Sequence, residues 1–253
     1  MKSLYDFPKI YDQVLCHDAE TVAQEVESVI GLLRIHGMNR GSILELACGT
    51  CSHSIALATA GFEVAGLDLS RQMLDGARER ASAAGVDIDL HQGNIIDFDL
   101  NQQYDCVILM SETFPLITGH TDIKSHFAAV RRHLRKGGIY VIDVDAHRHG
   151  VGTKYEVWGR KTHQIDGGTV EVWHESFPGD WVEGTSRMIM HCRIDLDGQT
   201  HETSDEWILR VDNPWNLRVL VESLPDWSLE GFFSWRDLSR DISEEKHYFM
   251  VVR

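Results

Sequence analysis

Ser42-Ile-Leu-Glu-Leu-Ala-Cys-Gly-Thr-Cys-Ser-His53 is the stretch on which the fold turns. Its first half is an apolar run interrupted by Glu45 and reads as a buried strand. Its second half is a turn of small residues entering a helix over roughly 52–60, which Gly61 stops. Outward from this unit the same alternation repeats. Phe62–Asp68 reads as a second strand, Ser70 caps a helix running to Ala84, Gly85 ends it, and Asp87–His91 gives a third short strand. Upstream, Val22, Val26, Val29, Ile30 and Leu33 recur at helical spacing between Asp18 and His36. Downstream, Tyr104–Met110 is almost continuously apolar and predicts a strand buried on both faces. A helix over 122–134, a turn at Lys136-Gly137-Gly138 and a fifth strand at Ile139–Asp143 follow. Strands alternating with helices predict an α/β fold with a doubly wound, mostly parallel sheet.

Beyond that point the pattern changes. Four stretches rich in β-branched and aromatic residues lie between Thr153 and Val211, separated by Asp166-Gly167-Gly168, Pro178-Gly179-Asp180 and Asp197-Gly198. Asp-Gly and Gly-Gly are hairpin signals, so this part predicts an antiparallel meander. Asn213-Pro214 starts a short helix over Trp215–Leu224, and strands at Trp227–Ser234 and Lys246–Val252 complete a seven-stranded sheet. The expected organisation is one domain from 1–150 together with 212–253, and an antiparallel insertion at 151–211.

The totals narrow the partners. The formal net charge is −15, so the mean field repels polyanions and argues against nucleic acid. The densest basic run, Arg131-Arg132-His133-Leu134-Arg135-Lys136, falls at a helix end, where cations complement the dipole. No apolar run of membrane-spanning length and no secretory h-region is present, and five cysteines without framework spacing fit reduced thiols; a cytoplasmic location is expected. A small molecule is the expected partner.

In open α/β sheets ligands bind outside the carboxyl ends of the strands. The small-residue turn after Leu46 admits a ligand close to the backbone, and Asp68 ends the second strand, where a carboxylate can accept from both hydroxyls of a ribose. Those two features also suit a nicotinamide dinucleotide, which would make the chain an oxidoreductase. A dinucleotide, however, calls for Gly-x-Gly-x-x-Gly to seat its pyrophosphate. Here Glu45, Ala47, Gly49 and Cys51 occupy alternate places. An acid beside the ligand suits a cofactor carrying an amine and a sulfonium.

Glu45-Leu-Ala-Cys-Gly-Thr50 resembles the first motif of class I S-adenosylmethionine-dependent methyltransferases. Gly66-Leu-Asp68-Leu-Ser70 with Met73, Leu74 and Ala77 resembles the second, and Gln92-Gly-Asn94-Ile95 with Asp97-Phe98 the third. Tyr104-Asp105 and His133–Ile139 complete the series. The resemblance implies a Rossmann-like fold binding S-adenosylmethionine through Glu45, Ala47, Cys48, Gly49, Cys51 and Met110, with Gly49 and its neighbours facing the methionyl moiety and Asp68 on the ribose. Leu69 and Met73 would flank the adenine, Asn94 and Ile95 would read its edge, and Tyr11 would cover the cofactor, with Tyr5-Asp6 an earlier copy of the same pair. Cys51 stands where the family usually has glycine. The antiparallel stretch is similar in placement to the lid or dimer surface of glycine N-methyltransferase-like and antibiotic-sugar N-methyltransferases, which allows a homodimer.

The implied reaction is methyl transfer to N or O of a small metabolite, dominated by alignment and water exclusion. A ligand-binding protein of the same fold without turnover is the non-catalytic alternative. Candidate bases are Glu112 after the fourth strand, His147 after the fifth, and His174 or His191 in the insertion. Cys48-x-x-Cys51 lies inside the turn without a second pair, and Asp143, Asp145, His147 and His149 alternate where a solvated loop is expected, so no metal is expected. Seven tryptophans fall between residues 158 and 235, which suggests an aromatic-lined insertion even though any single one is more simply core.

Overall fold

The computed structural model describes residues 3–16, 18–145, 154–239, 242 and 247–253. A single turn of 3-10 helix, Leu4–Asp6, leads into α1 (Pro8–Val14) and α2 (Ala19–Ile35). Then β1 (Ser42–Leu46), α3 (Ser52–Thr59), β2 (Glu63–Asp68), α4 (Arg71–Ala84), β3 (Asp89–Gln92), β4 (Tyr104–Leu109), α5 (His120–His133) and β5 (Leu134–Asp145) follow in chain order. Four strands come next, β6 (Glu156–Ile165), β7 (Gly168–Asp180), β8 (Thr185–Leu196) and β9 (Gln199–Arg210). The chain closes with α6 (Pro214–Glu222), β10 (Leu229–Ser234) and β11 (His247–Val252).

The main sheet has seven strands in the order β10-β11-β5-β4-β1-β2-β3, with β1 to β5 parallel and β11 antiparallel to β5. The order reverses between β1 and β4, which opens a crevice at their carboxyl ends. Strand residues alternate between two cores. Leu44, Leu46, Val107, Leu109, Tyr140 and Ile142 pack with Ile123, Phe127 and Val130 of α5 and Leu217 and Val221 of α6. Ile43, Val64, Cys106, Ile108 and Val141 pack with Val22, Val26 and Val29 of α2, Leu57 of α3 and Leu74 of α4. Burial on both faces explains why β1 reads as an apolar run and not as an alternation.

The meander is a separate antiparallel sheet in the order β6-β7-β8-β9. At the β8–β9 hairpin, Leu196 pairs with Gln199 across Asp197 (φ 49°) and Gly198 (φ 77°), the two positive φ angles that a tight primed turn requires. One face of this sheet is covered by the N-terminal segment: Leu4 and Ile10 pack into Val170, Val172, Met190, Cys192 and Ile194. At its far end Arg210 holds Asp212 through two bonds of 2.7 and 2.6 Å and donates to the Ile117 carbonyl, tying β9 to the loop after β4.

The structure corrects several boundaries. β5 begins at Leu134, not Ile139: Tyr104 pairs with Leu134 before a register shift, so Lys136-Gly137-Gly138 is an irregular part of the strand and not a turn. β3 starts two residues later than expected, and β10 starts at Leu229 because Trp227 instead packs edge-on against Phe127 at 5.1 Å. Among the described residues no helix is long and apolar enough to cross a membrane. His147 and His149 lie outside the described residues.

Candidate active site

The turn between β1 and α3 takes up three left-handed residues, Ala47 (φ 52°), Gly49 (φ 53°) and Cys51 (φ 65°). Cys51, at the N-cap of α3, therefore adopts the glycine conformation despite its side chain, at a cost on the order of 1–2 kcal/mol. What results is a turn whose Gly49 amide points at the end of β2. Gly49 N–H donates to Asp68 Oδ2 and Ser70 N–H to Asp68 Oδ1, each at 2.8 Å. Burial raises the Asp68 pKa, and these backbone donors oppose the rise. The carboxylate is fixed by two amides with lone pairs to spare for a diol.

Beside the turn lies a cavity of about 440 Å³, within the usual range for small-molecule sites. It brings together Tyr11, Glu45, Ala47, Cys48, Gly49, Met110, Glu112 and His174 of the residues singled out from sequence. Cys51, Asp68, Leu69, Met73, Asn94 and Ile95 are not in its lining. Leu69 is 68% exposed next to Asp68, whereas Met73 is 1% exposed. Met73 sits in the first turn of α4 with its amide capped by Ser70 Oγ. Asn94 is exposed but its Oδ1 accepts from Ile96 N–H at 3.0 Å, and the Ile95 carbonyl is bonded to His126 Nδ1 at 2.7 Å.

The N-terminal segment roofs the cavity. Tyr5 and Tyr11 both line it, with ring centroids 5.5 Å apart, so the two tyrosine–aspartate pairs of the sequence act side by side. Burial raises both phenol pKa values, helped for Tyr5 by Asp205 and Asp68, so both stay protonated. Two anchors hold this roof. Ser3 Oγ and Leu4 N–H donate to Asp205 of β9 at 2.6 and 3.2 Å. Arg80 Nη1 of α4 lies 2.8 Å from Asp12 Oδ1, 2.7 Å from Thr50 Oγ1 and 3.0 Å from Ser52 Oγ. The first anchor joins the roof to the small sheet and the second joins it to the turn.

Behind the turn is a buried charged group that sequence reading missed. His53 Nε2 is 2.8 Å from Glu25 Oε2, and its Nδ1 is 3.4 Å from Glu45 Oε1. Glu45 Oε2 accepts from Ser54 N–H at 2.9 Å and from Ser54 Oγ. Burial works against charge on His53, but the hydrogen bonds and charges of Glu25 and Glu45 outweigh it and push its pKa up to about 10. The available signal was Glu25 itself, an acid in the apolar stripe of Val22, Val26 and Val29.

The opposite wall belongs to the antiparallel sheet: Trp158, Lys161, His163, Val172, His174, Met188, Met190 and Trp207. Trp158 stacks on His174 with centroids 4.5 Å apart and donates from Nε1 to Ser176 Oγ at 2.7 Å. His191 is not in this wall: it stacks on Trp173 at 5.0 Å and lies 3.6 Å from Glu175, one position out of phase with the inward residues of β8. Of the seven tryptophans Trp235 is buried, Trp207 and Trp227 are partly buried against the cores, and Trp158, Trp181 and Trp215 are exposed. Glu112 projects from Ser111 (φ 55°) and Glu112 (φ 56°), consecutive left-handed residues after β4, and its N–H donates to Asp143 Oδ2 at 3.2 Å. Asp143 is itself bonded to His247 of β11.

Residues 43–138 match the family described as a methyltransferase domain. The chain is 29% identical over 138 residues to dTDP-3-amino-3,4,6-trideoxy-alpha-D-glucopyranose N,N-dimethyltransferase of Streptomyces venezuelae, covering 54% of this chain and 56% of that protein. It is 30% identical over 142 residues to glycine/sarcosine N-methyltransferase of Aphanothece halophytica, covering 54% and 51%. The chain thus spans about half the length of the curated relatives it matches. Among solved structures, an S-adenosylmethionine-dependent methyltransferase from Clostridium acetobutylicum superposes with a TM-score of 0.79 at 18% identity, covering 99% of both chains.

Proposed function

We propose, from the premise that residues 43–138 belong to the methyltransferase-domain family and that the chain has the class I S-adenosylmethionine-dependent methyltransferase fold, that this protein methylates an amine of a small molecule. The observation that carries the reading is the clamp on Asp68 by the Gly49 and Ser70 amides at the end of β2, beside a turn that presents an acid and no pyrophosphate seat. These residues fit S-adenosylmethionine, which supplies the electrophilic methyl group on its sulfonium. Asp68 would take the ribose hydroxyls, Leu69 one face of the adenine, Asn94 and Ile95 its edge, and Glu45 with Gly49 and Met110 the methionyl end. Tyr5 and Tyr11 would exclude water from above. Residues 1–150 with 212–253 would form the cofactor domain, and 151–211 the wall over the acceptor.

On the acceptor side, alignment of a neutral amine suffices for the displacement, and Glu112 or His174 would take up the proton it releases. The wall also points to an anionic handle on the acceptor. Every arginine of the antiparallel sheet has a carboxylate partner, Arg160 with Glu171, Arg187 with Glu206, Arg193 with Asp195 and Arg210 with Asp212. Lys161 faces the cavity with no ion-pair partner among the described residues, next to Trp158. The two curated relatives above are named for substrates that share this chemistry, an amine on a molecule that also carries a phosphate or a carboxylate.

Calorimetric titration with S-adenosylmethionine and with NAD, on wild type and Asp68→Ala, tests the cofactor assignment. Micromolar binding of S-adenosylmethionine, none of NAD, and a loss of about a hundredfold in the variant are expected, since two hydrogen bonds to a charged acceptor are worth roughly 3 kcal/mol. Heat from NAD alone would overturn it.

A further inference from the structure

Glu25 does not line the cavity, yet it belongs to the group that decides the charge at one end of it. Glu45 reaches the cavity with one oxygen, Oε2, committed to Ser54, and the other, Oε1, 3.4 Å from His53 Nδ1, longer than an ordinary hydrogen bond and open to a further donor. His53 leans the other way, 2.8 Å from Glu25. A Glu45–His53 pair alone would be neutral and would offer an incoming ammonium little attraction. Resting on the cofactor assignment above, we propose that Glu25 sets the charge at the amine-binding end of the cavity: it matches the positive charge of His53 from behind, so that Glu45 meets the cofactor's ammonium within a group that keeps one net negative charge.

Burial makes the arrangement matter. Glu25 and Glu45 side chains are 1% and 3% exposed and His53 7%, so solvent screens them weakly. The groups facing His53 are Glu25 from α2 and Glu45 from β1; Ser54 donates to Glu45, and the Cys48 thiol and Asp68 of β2 interact electrostatically with Glu45. With both carboxylates present the histidine stays charged across the neutral range, its pKa being about 10. With Glu25 removed, burial and a single carboxylate remain, and the pKa falls.

The test uses S-adenosylhomocysteine, which keeps the amine, and 5′-methylthioadenosine, which lacks the methionyl end, in calorimetric titrations of the full chain. Glu25→Gln keeps the shape of the contact and removes its charge. At pH 7 it is expected to bind S-adenosylhomocysteine about tenfold more weakly than wild type while holding 5′-methylthioadenosine within about twofold, one decade being the scale of one screened charge. The variant-to-wild-type ratio should narrow as pH rises and His53 loses its proton. The double variant Glu25→Gln/His53→Gln restores the net charge and is expected within about threefold of wild type, an outcome that does not depend on the single variant folding. Equal losses for both ligands, no loss in Glu25→Gln, or a double variant weaker than the single would overturn the proposal while leaving the cofactor assignment in place. A wild type that binds neither ligand would overturn both.

Discussion

Replacing Arg80 by Met should loosen the roof of the cavity without unfolding the protein. Three oxygens surround Arg80 Nη1 within 3.0 Å, but that nitrogen has two hydrogens, so no more than two strong bonds are made at once. Charge-assisted bonds of this kind are worth about 1.5–3 kcal/mol each when desolvated. Here the guanidinium side chain is 37% exposed, and screening reduces the pair to roughly 2 kcal/mol in all. If undocking of α1 carries that whole loss, its undocked population rises about thirtyfold. A seven-residue helix has no stability of its own, so its amides report docking directly. Hydrogen exchange at Tyr11 and Leu15, whose amides donate to Phe7 and Tyr11 carbonyls, should accelerate by that factor. Exchange in β4, buried in the main sheet, should stay nearer its wild-type rate. Stopped-flow release of S-adenosylhomocysteine should speed up by up to the same factor. Unchanged exchange at Tyr11 and Leu15 in a variant with an unchanged urea midpoint would refute the idea that Arg80 holds the roof.

Two further outcomes follow from the same structure. Lys161→Met, which removes a cation of the acceptor wall that has no ion-pair partner among the described residues, should raise KM for an amine acceptor bearing a phosphate or carboxylate about tenfold and leave S-adenosylhomocysteine affinity alone; equal effects on both in steady-state and binding assays would remove Lys161 from the acceptor side. His126 is buried between the Ile95 carbonyl and Tyr140 OH, and burial carries its pKa down to about 4 from 6.5. A folded pKa below the unfolded one means that its contribution, about 3 kcal/mol, is complete above pH 6.5 and is lost as pH falls toward 4. In an NMR titration its ring resonance should stay that of neutral imidazole down to pH 5.

What the sequence discloses is what local physics encodes. β1 and β4 are buried on both faces, so their apolar runs announce them, and Asp197-Gly198 announces its hairpin because few other pairs accept two positive φ angles. The β1–α3 turn and Asp68 are equally visible, since close approach to a backbone demands small residues and the acid is confined to a strand end. β5 misleads because its first residues pair through a register shift, and a Lys-Gly-Gly sequence carries the signature of a turn whether or not one forms. The clasp of Asp12, Thr50 and Arg80, the bond from Leu4 to Asp205, and the Glu25–His53 contact join positions 68, 201 and 28 residues apart. Nothing in a local window distinguishes such side chains from solvated ones. The tryptophans show the boundary between the two cases: their concentration points to the insertion, but only the register of β6 and β9 tells that Trp158 and Trp207 turn inward and Trp173 outward.

The two walls of the cavity are consequently not independent. Among the described residues the small sheet has no helix of its own to cover its inner face, and Val170, Met190 and Ile194 are closed off by Leu4, Ile10 and their neighbours. The segment that covers the cofactor side is therefore also the missing half of the core under the acceptor wall. Removing it would expose apolar surface on β7 and β8, which the hydrophobic effect opposes far more strongly than loss of the exposed Arg80 contact at the other end. Of the two anchors, the one at Asp12 can yield while Leu4 stays seated. A ligand would thus enter past Tyr11 and the Arg80 clasp, with Tyr5 and the Asp205 anchor as the fixed end about which the roof moves.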